Sequence, residues 1–149
     1  MRIAEFLTKE RILDEMSASD KTGALEELSE PLLAAFPRLD RGKVLRVLNE
    51  REALGSTAME HGIAMPHGKI ADLQAPALVL GRSRAGINFA GDPARPTHLF
   101  FLLLAPEGAA GQQLGLLGAL ARLLKDADFR GRITQATDRN DIWRLFEAL

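Results

Sequence analysis

Leu99-Phe100-Phe101-Leu102-Leu103-Leu104 carries no polar side chain at any position. A strand with one wet face alternates apolar and polar residues. A run that is apolar at both parities therefore predicts a strand covered on both faces and central in its sheet. With Ala105 it is the longest purely apolar run in the chain, far short of the roughly 18 residues that a membrane span needs.

Outward from this strand, Ala77-Leu78-Val79-Leu80 predicts a second strand. Ile87 with Phe89 predicts a shorter extended piece, interrupted by Gly86 and Gly91. On the C-terminal side Gly108 to Gly111 predicts a loop. Leu114, Leu117, Leu120, Ala121 and Leu124 then set out one face of a helix ending near Lys125. Core packing explains that leucine-rich face better than a membrane surface does. Two shorter helices are expected at Ala127 to Gln135, capped by Asp126, and at Asp141 to Leu149, with Ile142, Leu145, Phe146 and Leu149 inward. Toward the N-terminus we expect a helical turn at Ile3 to Leu7 and a short strand at Ile12 to Glu15. A helix capped by Ser19 or Asp20 follows, carries Leu25, Leu28, Leu32 and Phe36, and stops at Pro37. Asp40 caps the next, which carries Val44, Leu45, Val47 and Leu48 to about Glu52. Strands separated by helices, with one strand buried on both sides, imply an α/β layer structure.

Neither an internal repeat nor a linker divides residues 1–149, and a domain of this length buries about two-thirds of its unfolded surface, so a single domain is expected. The net charge of −1 gives no basic face for a nucleic acid. Zero cysteines exclude disulfides, thiolate catalysis and cysteine-held metals. Glu5, Lys9 and Glu10 interrupt any secretory-leader pattern, which makes a cytoplasmic protein the default expectation.

The chemistry concentrates in Gly55-Ser56-Thr57-Ala58-Met59-Glu60-His61-Gly62-Ile63-Ala64-Met65-Pro66-His67-Gly68-Lys69. Pro66 has a fixed φ and biases Met65 toward an extended conformation, so His67 is expected as a stiff, exposed imidazole at the end of a short strand, Ile63 to Met65. Gly68 has no Cβ to keep a bulky anion from the backbone. A free imidazole is mostly neutral at pH 7 and has a lone pair for attack, which suits a nucleophile that accepts a group and passes it on.

Other readings of the same residues are weaker. Gly62 to Lys69 fails as a phosphate-binding P-loop because its second glycine comes one residue late and Ile70 stands where a hydroxyl should hold magnesium. No Gly-x-Ser-x-Gly elbow exists for a serine hydrolase. The spacing of His61, His67 and His98 matches no zinc pattern, so no metal site is expected. His98 begins the central strand, and a structural, hydrogen-bonded histidine fits there. For His61, a polar loop residue and a support for His67 remain equal alternatives. Arg51 is either a solvated helix-end cation or a guanidinium paired with a phosphoryl group. Ser56 and Thr57 fit a turn-tightening role.

Arg51-Glu52, Leu54-Gly55-Ser56-Thr57 and His61 to Lys69 together resemble the active-site signature of the enzyme IIA proteins of the bacterial phosphotransferase system, in the fructose/mannitol/nitrogen-regulatory branch. The likeness extends through Pro96 to Pro106 and Leu114 to Leu124, and so over nearly the whole chain. It implies a mixed β-sheet of about five strands flanked by helices on both faces. His67 would accept a phosphoryl group from an HPr-like phosphocarrier, without metal or cofactor. Transport members pass that group to a IIB component, whereas regulatory members bind other proteins according to phosphorylation state. Arg51 matches the family arginine near the phosphoryl group. Where the family places a supporting histidine at the start of the helix after the central strand, this chain has Gln113. An amide donates a hydrogen bond but cannot become a cation, so phosphoryl stabilisation is expected to be weaker or differently shared, with His61 as a possible compensation. The resemblance leaves a binding module that no longer transfers phosphate, and a IIA component of a sugar permease, as alternatives.

Overall fold

Every residue from Leu99 to Leu104 is buried, at 3% exposure or less, and the strand that holds them is the hub of the sheet. The structure, a computed structural model, describes residues 2–149. In chain order the strands are β1 (Ile12–Leu13), β2 (Ala58–Met59), β3 (Ile63–Ala64), β4 (His67–Ile70), β5 (Ala77–Ile87) and β6 (Thr97–Pro106). The helices are α1 (Lys21–Ala35), α2 (Arg41–Ala53), α3 (Ala110–Leu123), α4 (Ala127–Gln135) and α5 (Arg139–Glu147), preceded by a 3-10 turn at Ile3–Phe6.

The sheet is mixed and six-stranded, in the order β1-β5-β6-β3-β2, with β4 also on β6. Against β6, β5 is antiparallel, while β3 and β4 are parallel and follow one another in a single register, Ile63 opposite Leu99 and His67 opposite Leu103. The expectation of an α/β sheet covered on both faces, with Leu99 to Leu104 central, is met. The sheet has six strands where about five were expected: short β2 and β4 do not stand out as apolar runs, while the separate piece expected at Ile87 joins β5.

Strand alternation divides the core in two. Phe100, Leu102, Leu104 and Val79 pack with Leu25, Leu28 and Leu32 of α1 and Val44 and Leu48 of α2. Leu99, Phe101, Leu103, Leu78 and Leu80 pack on the opposite side with Leu116 and Leu120 of α3, Phe129 and Ile133 of α4, and Ile142 and Phe146 of α5. Each such side chain contributes roughly 1.5–3 kcal/mol by leaving water. Four helices start at an aspartate whose carboxylate accepts a main-chain N–H of the first turn: Asp20 from Gly23, Asp40 from Lys43, Asp126 from Asp128 and Asp138 from Asp141. Each cap is worth about 1 kcal/mol.

Three expectations need correction. Helix α3 already begins at Ala110, and its inward face is Gln113, Leu116 and Leu120, continued by Leu124; Leu114 is 72% exposed. The face is turned because the buried Gln113 amide donates to the Gly68 carbonyl at 2.8 Å and so faces the sheet. In α5, Ile142 and Phe146 are fully buried, whereas Leu149 lies beyond the helix and is exposed. Strand β5 does not stop at Leu80. It runs to Ile87 and absorbs Gly86, at φ 88°, as an irregularity between Arg82 and Ile87.

Candidate functional site

Two consecutive residues at the end of α2 hold the turn that follows. Arg51 Nη1 donates to the Gly55 carbonyl at 2.8 Å. Glu52, 7% exposed, accepts the Thr57 main-chain N–H at 3.1 Å and the Thr57 hydroxyl. Lys21 Nζ lies 2.9 Å from the same carboxylate. From this turn β2 leads through Glu60–Gly62 into β3, and the Met65 N–H reaches back to the Thr57 carbonyl at 3.2 Å.

His67 is the first residue of β4, not a loop residue beyond β3, and it is half-buried where an exposed ring was expected. Pro66 cannot donate to the sheet, yet its carbonyl accepts the Leu103 N–H at 2.9 Å, so β4 starts immediately after it. The imidazole Nδ1 lies 2.9 Å from the Met65 carbonyl. A carbonyl only accepts, so Nδ1 carries the proton in this arrangement and Nε2 keeps the lone pair.

His67 and Arg51 line one cleft of about 410 Å³, with Ser56, Thr57 and Met65 on the strand side and Leu117, Gly118 and Ala121 of α3 opposite. The cleft thus brings an imidazole and an arginine together in a largely apolar surround, in which a charge pair is stronger than in open water.

The other residues singled out in the sequence fall elsewhere. His61 has a half-exposed side chain and a left-handed backbone at φ 67°, uncommon outside glycine. It lines a separate pocket with Arg95, Pro96 and Thr97 that shares only Ala58 and Met59 with the His67 cleft. Gln113 sits behind β4 on the Gly68 carbonyl and does not line the cleft. His98 bonds the Ser83 carbonyl through Nδ1 at 2.9 Å, a structural contact. The missing Cβ of Gly68 makes room for Val47 of α2, not for an anion: a Cβ built there falls well inside van der Waals contact with Val47 Cγ1. No group of three or more His, Cys, Asp or Glu residues could hold a metal among the described residues. None of the described helices is long and apolar enough to cross a membrane. Buried Glu52 was quoted only as part of the signature beside Arg51, and no role was read for it from the residues.

An α/β sheet with a strand-borne histidine and a helix-end arginine on one cleft is the arrangement of the IIA class that the sequence resembles. Residues 5–148 match the profile described as phosphoenolpyruvate-dependent sugar phosphotransferase system, EIIA 2, and the chain belongs to that family. Within it, the chain is 36% identical over 145 residues to the nitrogen regulatory protein of Bradyrhizobium diazoefficiens, covering 97% of this chain and 94% of that one. It is 32% identical over 142 residues to the fructose-specific EIIABC component of Bacillus subtilis, covering 95% of this chain but 22% of that protein. The crystal structure of nitrogen regulatory protein IIA-Ntr from Neisseria meningitidis superposes with a TM-score of 0.87 at 28% identity, covering 97% of this chain and 98% of that one.

Proposed function

We propose that this protein is a phosphoryl-accepting regulatory IIA protein whose Nε2 of His67 takes a phosphoryl group from an HPr-like phosphocarrier. The observation that carries this reading is the Nδ1 contact with the Met65 carbonyl, on a ring that lines the same cleft as Arg51. In the transfer, the P–N bond of the donor breaks as the bond from phosphorus to Nε2 forms. The proton stays on Nδ1, hydrogen-bonded to the Met65 carbonyl, so no base is required. Catalysis is then placement and charge stabilisation. A charge pair at 4 Å is worth about 1 kcal/mol in water and about 4 at an effective dielectric of 20, so Arg51 gains as the docked carrier excludes water. The product adds close to two negative charges to the cleft, and partners distinguish the two forms by that charge. The exchange belongs to the cytoplasm, where soluble carriers meet.

The regulatory reading is supported by the likeness to the nitrogen regulatory protein over 94% of its length. The second reading, passage of phosphate to a IIB component, is supported by the fructose-specific EIIABC relative. Incubation with phosphorylated carrier, followed by measurement of acid-labile phosphate, tests the proposal. Label on the wild type and none on His67→Ala is expected; no label on the wild type overturns it and leaves a binding module. Drainage of that label onto a IIB protein would favour the transport reading.

A further inference from the structure

The Glu52 side chain is only 3% exposed, although carboxylates are costly to bury unless paired and hydrogen-bonded. Here both oxygens are engaged. Oε1 faces Lys21 Nζ at 2.9 Å and the Thr57 N–H at 3.1 Å, and Oε2 takes the Thr57 hydroxyl. Lys21 is itself placed by the Phe89 ring, 4.9 Å from its centroid. Thr57 is therefore gripped at main chain and side chain by a single group whose charge is offset from α1.

Thr57 does not end there. Its carbonyl accepts the Met65 N–H at 3.2 Å, and the Met65 carbonyl accepts Nδ1–H of His67 at 2.9 Å. Between the buried carboxylate and the nucleophile there are thus only two residues, each tied by a direct hydrogen bond. Thr57 and Met65 also line the cleft, so a displacement of either would move the cleft wall together with the group that orients the ring.

Resting on the phosphoryl-acceptor reading, we infer that Glu52 is a positioning residue for His67. Held by Lys21, it fixes Thr57 and through it the Met65 carbonyl that selects the Nδ1–H tautomer and leaves Nε2 free for phosphorus. Glu52 touches neither the ring nor the phosphoryl group. Orientation of this kind acts on the reaction step more than on docking of the carrier, because Glu52 is buried and offers the carrier no surface.

The test uses three variants: Glu52→Leu, which removes both acceptors; Thr57→Val, which removes only the hydroxyl; and Thr57→Ser, which keeps it. Imidazole 15N NMR on the unphosphorylated protein reads the tautomer, and transfer kinetics from phosphorylated carrier read kcat and KM. The expected result is one Nδ1–H tautomer in the wild type and in Thr57→Ser, and signals moving toward the two-tautomer average in Thr57→Val and further in Glu52→Leu. In Glu52→Leu, kcat is expected to fall about tenfold, with KM for the carrier changed less than about twofold. Wild-type tautomer signals in folded Glu52→Leu overturn the inference. Should that variant fail to fold, wild-type signals in Thr57→Val overturn it equally. The NMR reading needs no phosphate, so a wild type that takes no label sinks the phosphoryl-acceptor proposal while the tautomer still judges the role of Glu52.

Discussion

Val47 of α2 occupies the space that any side chain at position 68 would need, immediately after His67 on β4. Arg51 lies one helical turn beyond Val47, so this close approach of helix to strand also sets where the guanidinium stands relative to the imidazole. Gly68→Ala is expected to destabilise the fold by about 1–3 kcal/mol through overpacking. Thermal unfolding should show it as a loss of about 2–4 °C per kcal/mol. Val47→Ala in the same chain should restore most of the loss, because the clash is with that one side chain.

Gln113 contributes to this strand from the opposite side, as a donor to the Gly68 carbonyl. Gln113→Leu should cost about 1 kcal/mol, the usual net worth of one hydrogen bond, measured by urea denaturation. Because the amide does not line the cleft, phosphoryl uptake should change by less than about twofold. A loss of uptake without a loss of stability would contradict that placement.

The parts of the architecture that rest on local period were legible. Leu99 to Leu104 announced a doubly covered strand because both parities are apolar, and Asp20, Asp40 and Asp126 announced helix starts because a short acceptor precedes a periodic run. In α3 the same logic found most of the stripe, Leu120 and Leu124 buried with Leu117 and Ala121 packed against them, but took exposed Leu114 for its edge in place of Gln113 and Leu116. A leucine-rich helix satisfies helical spacing in more than one register, and the true stripe includes a glutamine that only a contact with β4 draws inward. His67 was legible from its neighbours Pro66 and Gly68, but the purpose of Gly68 was not, since Val47 reaches it only through packing. Glu52 stayed hidden for a similar reason: its burial depends on Lys21 and Thr57, and no pattern within α2 marks a carboxylate as paired with another element.

Arg82 offers a test of the end of the sheet away from the cleft. It is 1% exposed and donates through Nε to the Asp14 carbonyl at 2.9 Å and through Nη1 to the carbonyls of Ile133 at 2.8 Å and Ala136 at 2.6 Å. Burial holds its pKa below the usual arginine value, with a lesser push from Arg84. Arg82→Met would leave several carbonyls at the end of α4 and after β1 short of a donor, at about 1–3 kcal/mol for each group left unsatisfied. A total loss of about 3 kcal/mol is expected in chemical denaturation, and Arg82→Lys should recover less than half of it, because an ammonium lacks the planar fork.

The Glu30 carboxylate is held below its ordinary range by a hydrogen bond from Arg41, so its folded pKa is lower than its unfolded one. Its contribution is therefore present above the unfolded value and is lost as the pH falls through the folded one. Glu30→Gln should unfold at a slightly lower temperature than the wild type at pH 7, and the gap should narrow as the pH falls below the ordinary glutamate range. Melting curves across that range check the sign; a gap that widens in acid contradicts it.

Arg51 holds the turn and, on the proposed reading, also serves the cleft; the two roles separate under salt. Its bond to the Gly55 carbonyl fixes a residue at φ 146°, and loss of that bond should cost about 1 kcal/mol of stability whatever the ionic strength. Its charge toward an incoming phosphoryl group acts across a cleft open to solvent, where screening sets in over about 10 Å at 0.1 M salt. Arg51→Gln should therefore lower phosphoryl uptake by roughly tenfold to a hundredfold, the equivalent of about 1.5–3 kcal/mol for a charge-assisted contact. Wild-type uptake should slow as salt is added, and the variant should respond less. Equal salt slopes in the two proteins would mean that the guanidinium acts only by holding Gly55, and the charge role would then have to be given up.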